Sequence, residues 1–231
     1  MININFKNKI IIISGGGTGI GLQIAKSFLE AQAKVIILGR RKNILQKSTN
    51  NLTKELKLSK NRVACFECNM SVEESVSKVF KEIKSKFKYI DVMVNNSSTW
   101  SLDRINELKD ETIDYHFNNI FKSTVLGTKF SLNLFGKTGS IINVGSFSGI
   151  MPMKNGSVYS ALKSSIISFT RSSAEEYGDK NIRVNCLIPG VIRTPMTTKY
   201  IDENLNKIIE PIALNRIGKT EDVAHAVLFL A

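Results

Sequence analysis

Three side chains of this 231-residue sequence combine type and spacing in a way that suits proton transfer: Ser146, Tyr159 and Lys163. Tyr159 and Lys163 lie four residues apart in Val158–Tyr177, a stretch with helical apolar spacing (Ile166, Ile167, Phe169) and no Pro or Gly. Residues at i and i+4 share one helix face, so phenol and ammonium are neighbours. An ammonium beside a phenol stabilises the phenolate and lowers its pKa, which brings Tyr159 within reach of acid–base work near neutral pH. Ser146 follows the apolar, β-branched run 140–144, which is bounded by Gly139 and Gly145 and reads as a short buried strand. Its hydroxyl therefore sits at a strand end, where it can hydrogen-bond a substrate oxygen beside the phenol. A Tyr and a Lys at this spacing are also commonplace on helix surfaces, so the pair gains weight only from the rest of the chain.

The elements that would position a second reactant begin at the N-terminus. An apolar strand, Lys9–Ile13, runs into Ser14-Gly-Gly-Gly-Thr-Gly-Ile-Gly21, and a helical pattern over Leu22–Gln32 follows with Ile24, Ala25, Phe28 and Leu29 on one face. Strand, glycine-rich turn and helix N-terminus together make an anion site, because free N–H groups and the positive dipole end converge there. Glycines let the backbone approach a pyrophosphate and turn without a Cβ clash. The predicted contacts are Gly15, Gly17, Thr18, Gly19, Ile20 and Gly21.

The spacing of Gly15, Gly19 and Gly21, with Ser146 thirteen residues before Tyr159 and Lys163 four after it, resembles the short-chain dehydrogenase/reductase family. The general likeness is to 3-oxoacyl-acyl-carrier-protein reductases, and it extends over nearly the whole chain. It implies an α/β fold, a single-domain Rossmann-type three-layer sandwich with a mainly parallel sheet over residues 1–231. It further implies a strand beyond Ala231, where the sequence stops inside a helical pattern. By the same resemblance Asn95 and Ser97 lie near the nicotinamide ribose, Pro189, Gly190, Ile192 and Thr194 line the nicotinamide, and Lys163 contacts the ribose. Thr197–Leu214, lying between the cofactor loop and the next helix, reads as a mobile substrate cover, and Met196, Tyr200, Ile201, Leu205, Ile208 and Ile209 suit either an amphipathic lid or ordinary core packing.

Departures from the family pattern are equally specific. Gly39 stands where an Asp usually accepts from the ribose 2′-hydroxyl, and Arg40 and Arg41 follow it. A guanidinium pairs with a 2′-phosphate, so the expected cofactor is NADP(H). Asn69 replaces an Asp that binds the adenine amino group; its side-chain oxygen can still accept, and a loop-capping role is the alternative. Ser97-Ser98 replaces Ala-Gly. The family's catalytic Asn, counted back three residues from Ser123, falls on Ile120; either the helix bulges by one residue and brings Asn119 into place, or that group is missing. Asn119 is the predicted residue. The expected activity is reversible, NADP(H)-dependent reduction of a small-molecule carbonyl to an alcohol, with an acyl thioester as the leading substrate. A catalytically impaired cofactor-binding sensor or scaffold is the alternative. The resemblance also implies a homotetramer or homodimer.

Composition narrows the remaining classes. The chain is long enough for one sizeable core, and it shows no linker, repeat or low-complexity tract. No secretory pattern or membrane-length apolar run occurs, which makes a cytoplasmic location the default and a membrane partner unexpected. A net charge of +12 and a pI near 9.6 invite a nucleic-acid reading. The lysines are nevertheless scattered among acidic neighbours on helical patterns, without interleaved aromatics, and no nucleic-acid partner is expected. Cys65-x-x-Cys68 falls on a predicted strand, 62–68, where odd spacing sends the two thiols to opposite faces; no metal is expected. Asn43 is expected to cap a helix over 43–58, and Thr220 to cap the last one.

Overall fold

The computed structural model describes residues 4–59 and 61–231. Strands β1 (Ile10–Ser14), β2 (Lys34–Gly39), β3 (Val63–Glu67), β4 (Ile90–Asn95), β5 (Phe135–Val144) and β6 (Ile182–Leu187) form one parallel sheet in the order β3-β2-β1-β4-β5-β6. Four consecutive isoleucines in β1 are buried, as a strand covered on both faces requires. Because side chains alternate across a strand, Ile11 and Ile13 join one core and Ile10 and Ile12 the other.

The first core is closed by α1 (Gly19–Glu30), α2 (Lys42–Glu55) and α8 (Thr220–Leu230), through Ile24, Phe28, Leu45, Leu52 and Val227. The second is closed by α3 (Glu73–Phe87) and α5 (Ser123–Leu132), with the end of α6 (Ser157–Tyr177) against it, through Val76, Phe80, Ile83, Leu126 and Ala174. Cys65 packs in the first layer and Cys68 in the second, as the odd spacing demands. Two further helices are α4 (Asp110–His116) before α5 and α7 (Thr198–Ile209) between β6 and α8.

The strand order reverses between β1 and β4. Loops leaving their C-terminal ends run apart, and the crevice between them is where open α/β sheets bind ligands.

Local expectations differ from the structure in three places. The strand expected at 140–144 starts at Phe135, since Ile90 pairs with Phe135 and Val92 with Ser140; exposed residues 136–138 lie within β5 at the bulge that takes up that register shift. Arg41, not Asn43, occupies the cap position of α2, and the Asn43 oxygen accepts from Ile44 N at 2.9 Å. Lys219 rather than Thr220 occupies the cap position of α8, where its N–H donates to the Asp222 carboxylate at 2.8 Å, an anion at the positive helix end.

Candidate active site

Every strand delivers a loop to the same end of the sheet, and one cleft of about 400 Å³ runs across these loops. At its floor, Gly15 and Gly19 have φ of +64° and +54°, a left-handed conformation that favours glycine. Gly21 lies below the turn instead of lining the cleft: a β-carbon there would stand 2.3 Å from Gly15 O and 2.6 Å from Asn96 Nδ2. There it lets α1 pack closely beneath the turn. Gly15, Gly17, Thr18, Gly19 and Ile20 do line the cleft, and the first N–H groups of α1 have no acceptor within the helix.

The turn is held to β4 by groups that the sequence did not single out. Ser14 Oγ accepts from the backbone N–H of Asn96 and of Ser97, each at 3.0 Å, and Asn96 Nδ2 donates to Ser14 O at 3.1 Å. Nothing local marks Ser14 for this, because its partners are 82 and 83 residues away.

Ser97 lines the cleft, but Asn95 does not. The Asn95 side chain turns into the core, where Nδ2 donates to Thr128 Oγ1 at 3.0 Å and Asn143 Oδ1 at 2.8 Å. Asn143 in turn donates to Thr170 Oγ1 at 2.9 Å, so the amides link β4, β5, α5 and α6. Strand alternation explains the correction: Asn95 is still in β4 and points into a layer, whereas Asn96 has left the strand.

At one end of the cleft Gly39, Arg40 and Arg41 meet Asn69. The Asn69 oxygen is already used, accepting from Ser71 N at 3.2 Å and Ser71 Oγ at 2.8 Å, so the loop-capping role prevails over an acceptor role toward a base. Arg40 is exposed and its guanidinium stands 3.5 Å from the Tyr115 hydroxyl, whose pKa it lowers by stabilising the phenolate.

At the other end Ser146, Tyr159, Lys163 and Asn119 share the cleft wall. Ser146 leaves β5 extended (φ −162°, ψ 150°), and its Oγ accepts from Ser148 N at 3.2 Å. The short turn that follows presses onto α6: a β-carbon on Gly149 would lie 2.8 Å from the Lys163 carbonyl carbon. That approach sets the serine and the tyrosine on the same wall of the cleft.

The phenol's pKa is raised, because burial outweighs the lowering effect of the nearby Ser146 hydroxyl. This corrects the expectation of a lysine-lowered phenol. Lys163 Nζ is 5.8 Å from the Tyr159 ring centroid and donates to Val144 O at 2.9 Å. Lys163 is 3% exposed, and burial lowers its ammonium to about 8. Desolvation acts against the charged form of both groups, so it raises the phenol and lowers the ammonium, and the two pKa values end further apart than in the free side chains.

Asn119 lies in a π-helical turn, Phe117–Lys122, inserted between α4 and α5, with Ser123 N donating to Asn118 O across five residues. The helix does bulge at this point. The extra residue rotates Asn119 onto the cleft and leaves Ile120 fully buried, while Asn119 Nδ2 donates to Tyr115 O at 2.8 Å.

Pro189, Gly190, Ile192 and Thr194 line the cleft opposite Gly19, whose missing β-carbon would come within 3.3 Å of Thr194 Cβ. From there α7 crosses above, anchored by Arg193–Asp202 at 2.6 Å and by buried Ile201. Trp100, Phe147, Met153, Met196 and Tyr200 also line the cleft. Of these, only Met196 and Tyr200 carried a signal in the sequence, as apolar positions of an amphipathic cover.

A family profile described as enoyl-(acyl carrier protein) reductase matches residues 15–231. The chain belongs to the short-chain dehydrogenase/reductase family and is an oxidoreductase of that fold. It is 33% identical to carbonyl reductase family member 4 of Xenopus laevis over 225 residues, 96% of this chain and 91% of that protein. It is 30% identical to the 3-oxoacyl-[acyl-carrier-protein] reductase of Thermotoga maritima over 229 residues, 97% and 91% of the two chains. A 3alpha-hydroxysteroid dehydrogenase of Mediterraneibacter gnavus is 31% identical over 229 residues, 97% and 90%. The fold matches a crystal structure from Brucella melitensis titled a short-chain glucose/ribitol dehydrogenase, with a TM-score of 0.92 at 23% identity over 98% and 90% of the chains.

Proposed function

We propose that this protein is an NADP(H)-dependent reductase that converts a ketone, of which a 3-oxoacyl thioester is one class, reversibly to an alcohol. The observation that carries the reading is that one cleft holds both ends of such a reaction: Ser146, Tyr159 and Lys163 at one end and Arg40 and Arg41 at the other. The arginines are the charged residues at that second end among the described residues, which suits a 2′-phosphate better than a 2′-hydroxyl. Gly15, Gly17, Thr18, Gly19 and Ile20 would hold the pyrophosphate against the start of α1, and Pro189, Gly190, Ile192 and Thr194 would flank the nicotinamide.

The cofactor, when bound, supplies a hydride to the carbonyl carbon. Ser146 holds the carbonyl oxygen by its hydroxyl and fixes it beside the phenol. Tyr159 transfers its proton to that oxygen as negative charge develops there. A phenol kept neutral by burial starts the reduction in the protonated form. Lys163 would provide positive charge near the resulting phenolate and would hold the ribose of the bound cofactor, with Val144 O orienting its ammonium. Asn119, fixed through Tyr115 O, anchors water that returns a proton to the site. Exposed Ile113 and Phe117 support self-association, as a dimer or tetramer, through the helices bearing Asn119 and Tyr159. A cytoplasmic setting suits this chemistry and its cofactor.

The test is NADPH oxidation followed by absorbance with a ketone panel, acetoacetyl and crotonyl thioesters, NADH in parallel, and Tyr159→Phe as control. Ketone-dependent turnover with NADPH, lost by about a thousandfold or more in Tyr159→Phe while NADPH still binds, is the expected result. Turnover of the crotonyl thioester alone would assign the site to double-bond reduction instead. Tight NADPH binding without turnover of anything would leave a cofactor-binding sensor or scaffold.

A further inference from the structure

We propose that Trp100 and Tyr200 form the substrate-selecting wall of this cleft, and that they select an uncharged ketone with a rigid, flat, apolar body over a linear one. The inference rests on the carbonyl reductase reading and narrows its substrate.

The two rings come from opposite sides of the cleft, Trp100 from the loop after β4 and Tyr200 from α7. They meet edge-to-face, with centroids 5.2 Å apart and planes at 64°. An aromatic pair in this geometry presents a broad apolar surface with little rotamer freedom to lose, because each side chain has only two torsions. Phe147, Met153 and Met196 extend that surface. Thioether chains adapt their shape to what they cover, so they complete the wall without dictating its outline.

Charge is placed elsewhere. Among the described residues that line the cleft, the charged groups are Arg40, Arg41 and Lys163. The first two lie at the far end, and Lys163 is buried with its ammonium on Val144 O. A carboxylate or phosphate on the substrate would meet no charged partner among the described residues lining the Trp100 end, and its desolvation would be less well offset than that of an uncharged group.

The two halves of the wall are held by different contacts. The Trp100 loop is tied down twice, by Ser101 Oγ on His116 Nε2 at 2.7 Å and by Asp103 N donating to Asn155 O at 2.6 Å. Tyr200 rides on α7, where Asn204 leaves helical geometry (φ −132°, ψ 16°) and Ile201 is the buried residue. Trp100 is therefore fixed by its loop, and Tyr200 by the anchored first turn of α7, on the near side of the Asn204 kink. A rigid body laid against a fixed ring loses little conformational entropy. A linear acyl chain must freeze several rotors to make the same contact.

Trp100 is the single tryptophan of the chain, so its emission reports this wall alone. The experiment compares trans-2-decalone, 2-decanone and the acetoacetyl thioester of N-acetylcysteamine under saturating NADPH, with emission read in parallel on the NADP-bound protein. The decalone is expected to give at least about tenfold higher kcat/KM than either linear compound and to shift Trp100 emission. Trp100→Ala is expected to raise the decalone KM about tenfold with kcat and NADPH affinity held, and Trp100→Phe to recover most of that loss. Tyr200→Ala serves as the second variant should Trp100→Ala not fold. Equal or better kcat/KM for the linear compounds, or an unchanged decalone KM in both alanine variants, would overturn the selection while Tyr159-dependent turnover left carbonyl reduction in place. No Tyr159-dependent turnover of any ketone would remove both.

Discussion

Replacing Lys163 with Met separates what the buried ammonium does for the reaction from what it does to the fold. Burial depresses its pKa from an ordinary 10.5 to about 8. Between those two values the unfolded chain binds more protons than the folded one, so stability rises with pH across that window. The charged amine therefore costs the native state about 3 kcal/mol below pH 8, from 1.36 kcal/mol per pKa unit. Lys163→Met keeps the length of the stem and removes that cost, but it leaves Val144 O without its donor, a loss of about 1–3 kcal/mol. Near pH 7 the variant is expected to match the parent or exceed it by up to about 2 kcal/mol, with reductase activity gone. Toward high pH the parent recovers: linkage gives it about 2 kcal/mol between pH 6.5 and 9.5 that the variant cannot gain. Urea denaturation of both proteins at a series of pH values, without added cofactor, reads this directly. A stability difference that stays constant from pH 6.5 to 9.5 would refute the claim that Lys163 is a desolvated, titrating ammonium. A variant destabilised by several kcal/mol at neutral pH would refute the balance drawn here.

Three further outcomes follow from the same geometry. Gly21→Ala should lose roughly 2 kcal/mol in urea melts and most NADPH affinity, because its β-carbon would enter Gly15 O at 2.3 Å and push α1 off the turn. Arg40→Ala should weaken binding of 2′,5′-ADP by about tenfold to a hundredfold while leaving 5′-AMP nearly unaffected, which calorimetric titration resolves. The two asparagines should separate cleanly. Asn119→Ala is expected to lower kcat about tenfold or more with stability changed by less than about 0.5 kcal/mol. Asn95→Ala is expected to cost about 2 kcal/mol of stability, since Thr128 and Asn143 lose a buried partner.

The sequence by itself determined the parallel α/β frame, because strand and helix periods are local properties of residue type and alternate along most of the chain. It also determined the glycine turn and the Tyr159–Lys163 pair, whose geometry is set within one turn and one helix. The bulge at Asn119 was one of two readings of a one-residue departure from the family's spacing, and the π-helical turn selects it. The tertiary structure decided whatever depends on which groups meet across the sheet. The direction of the Tyr159 shift is one case: spacing places an ammonium nearby, but only packing shows that burial outweighs it and that Val144 O takes the charge. Asn95 and Asn96 are neighbours in sequence, yet the strand end between them sends one to the core and the other to the cleft. Ser14 and Trp100 have no local signature at all, since the partners of one lie more than 80 residues away and those of the other on α7, 100 residues on. Desolvation and long-range contact are properties of the assembled interior, and no window of sequence contains them.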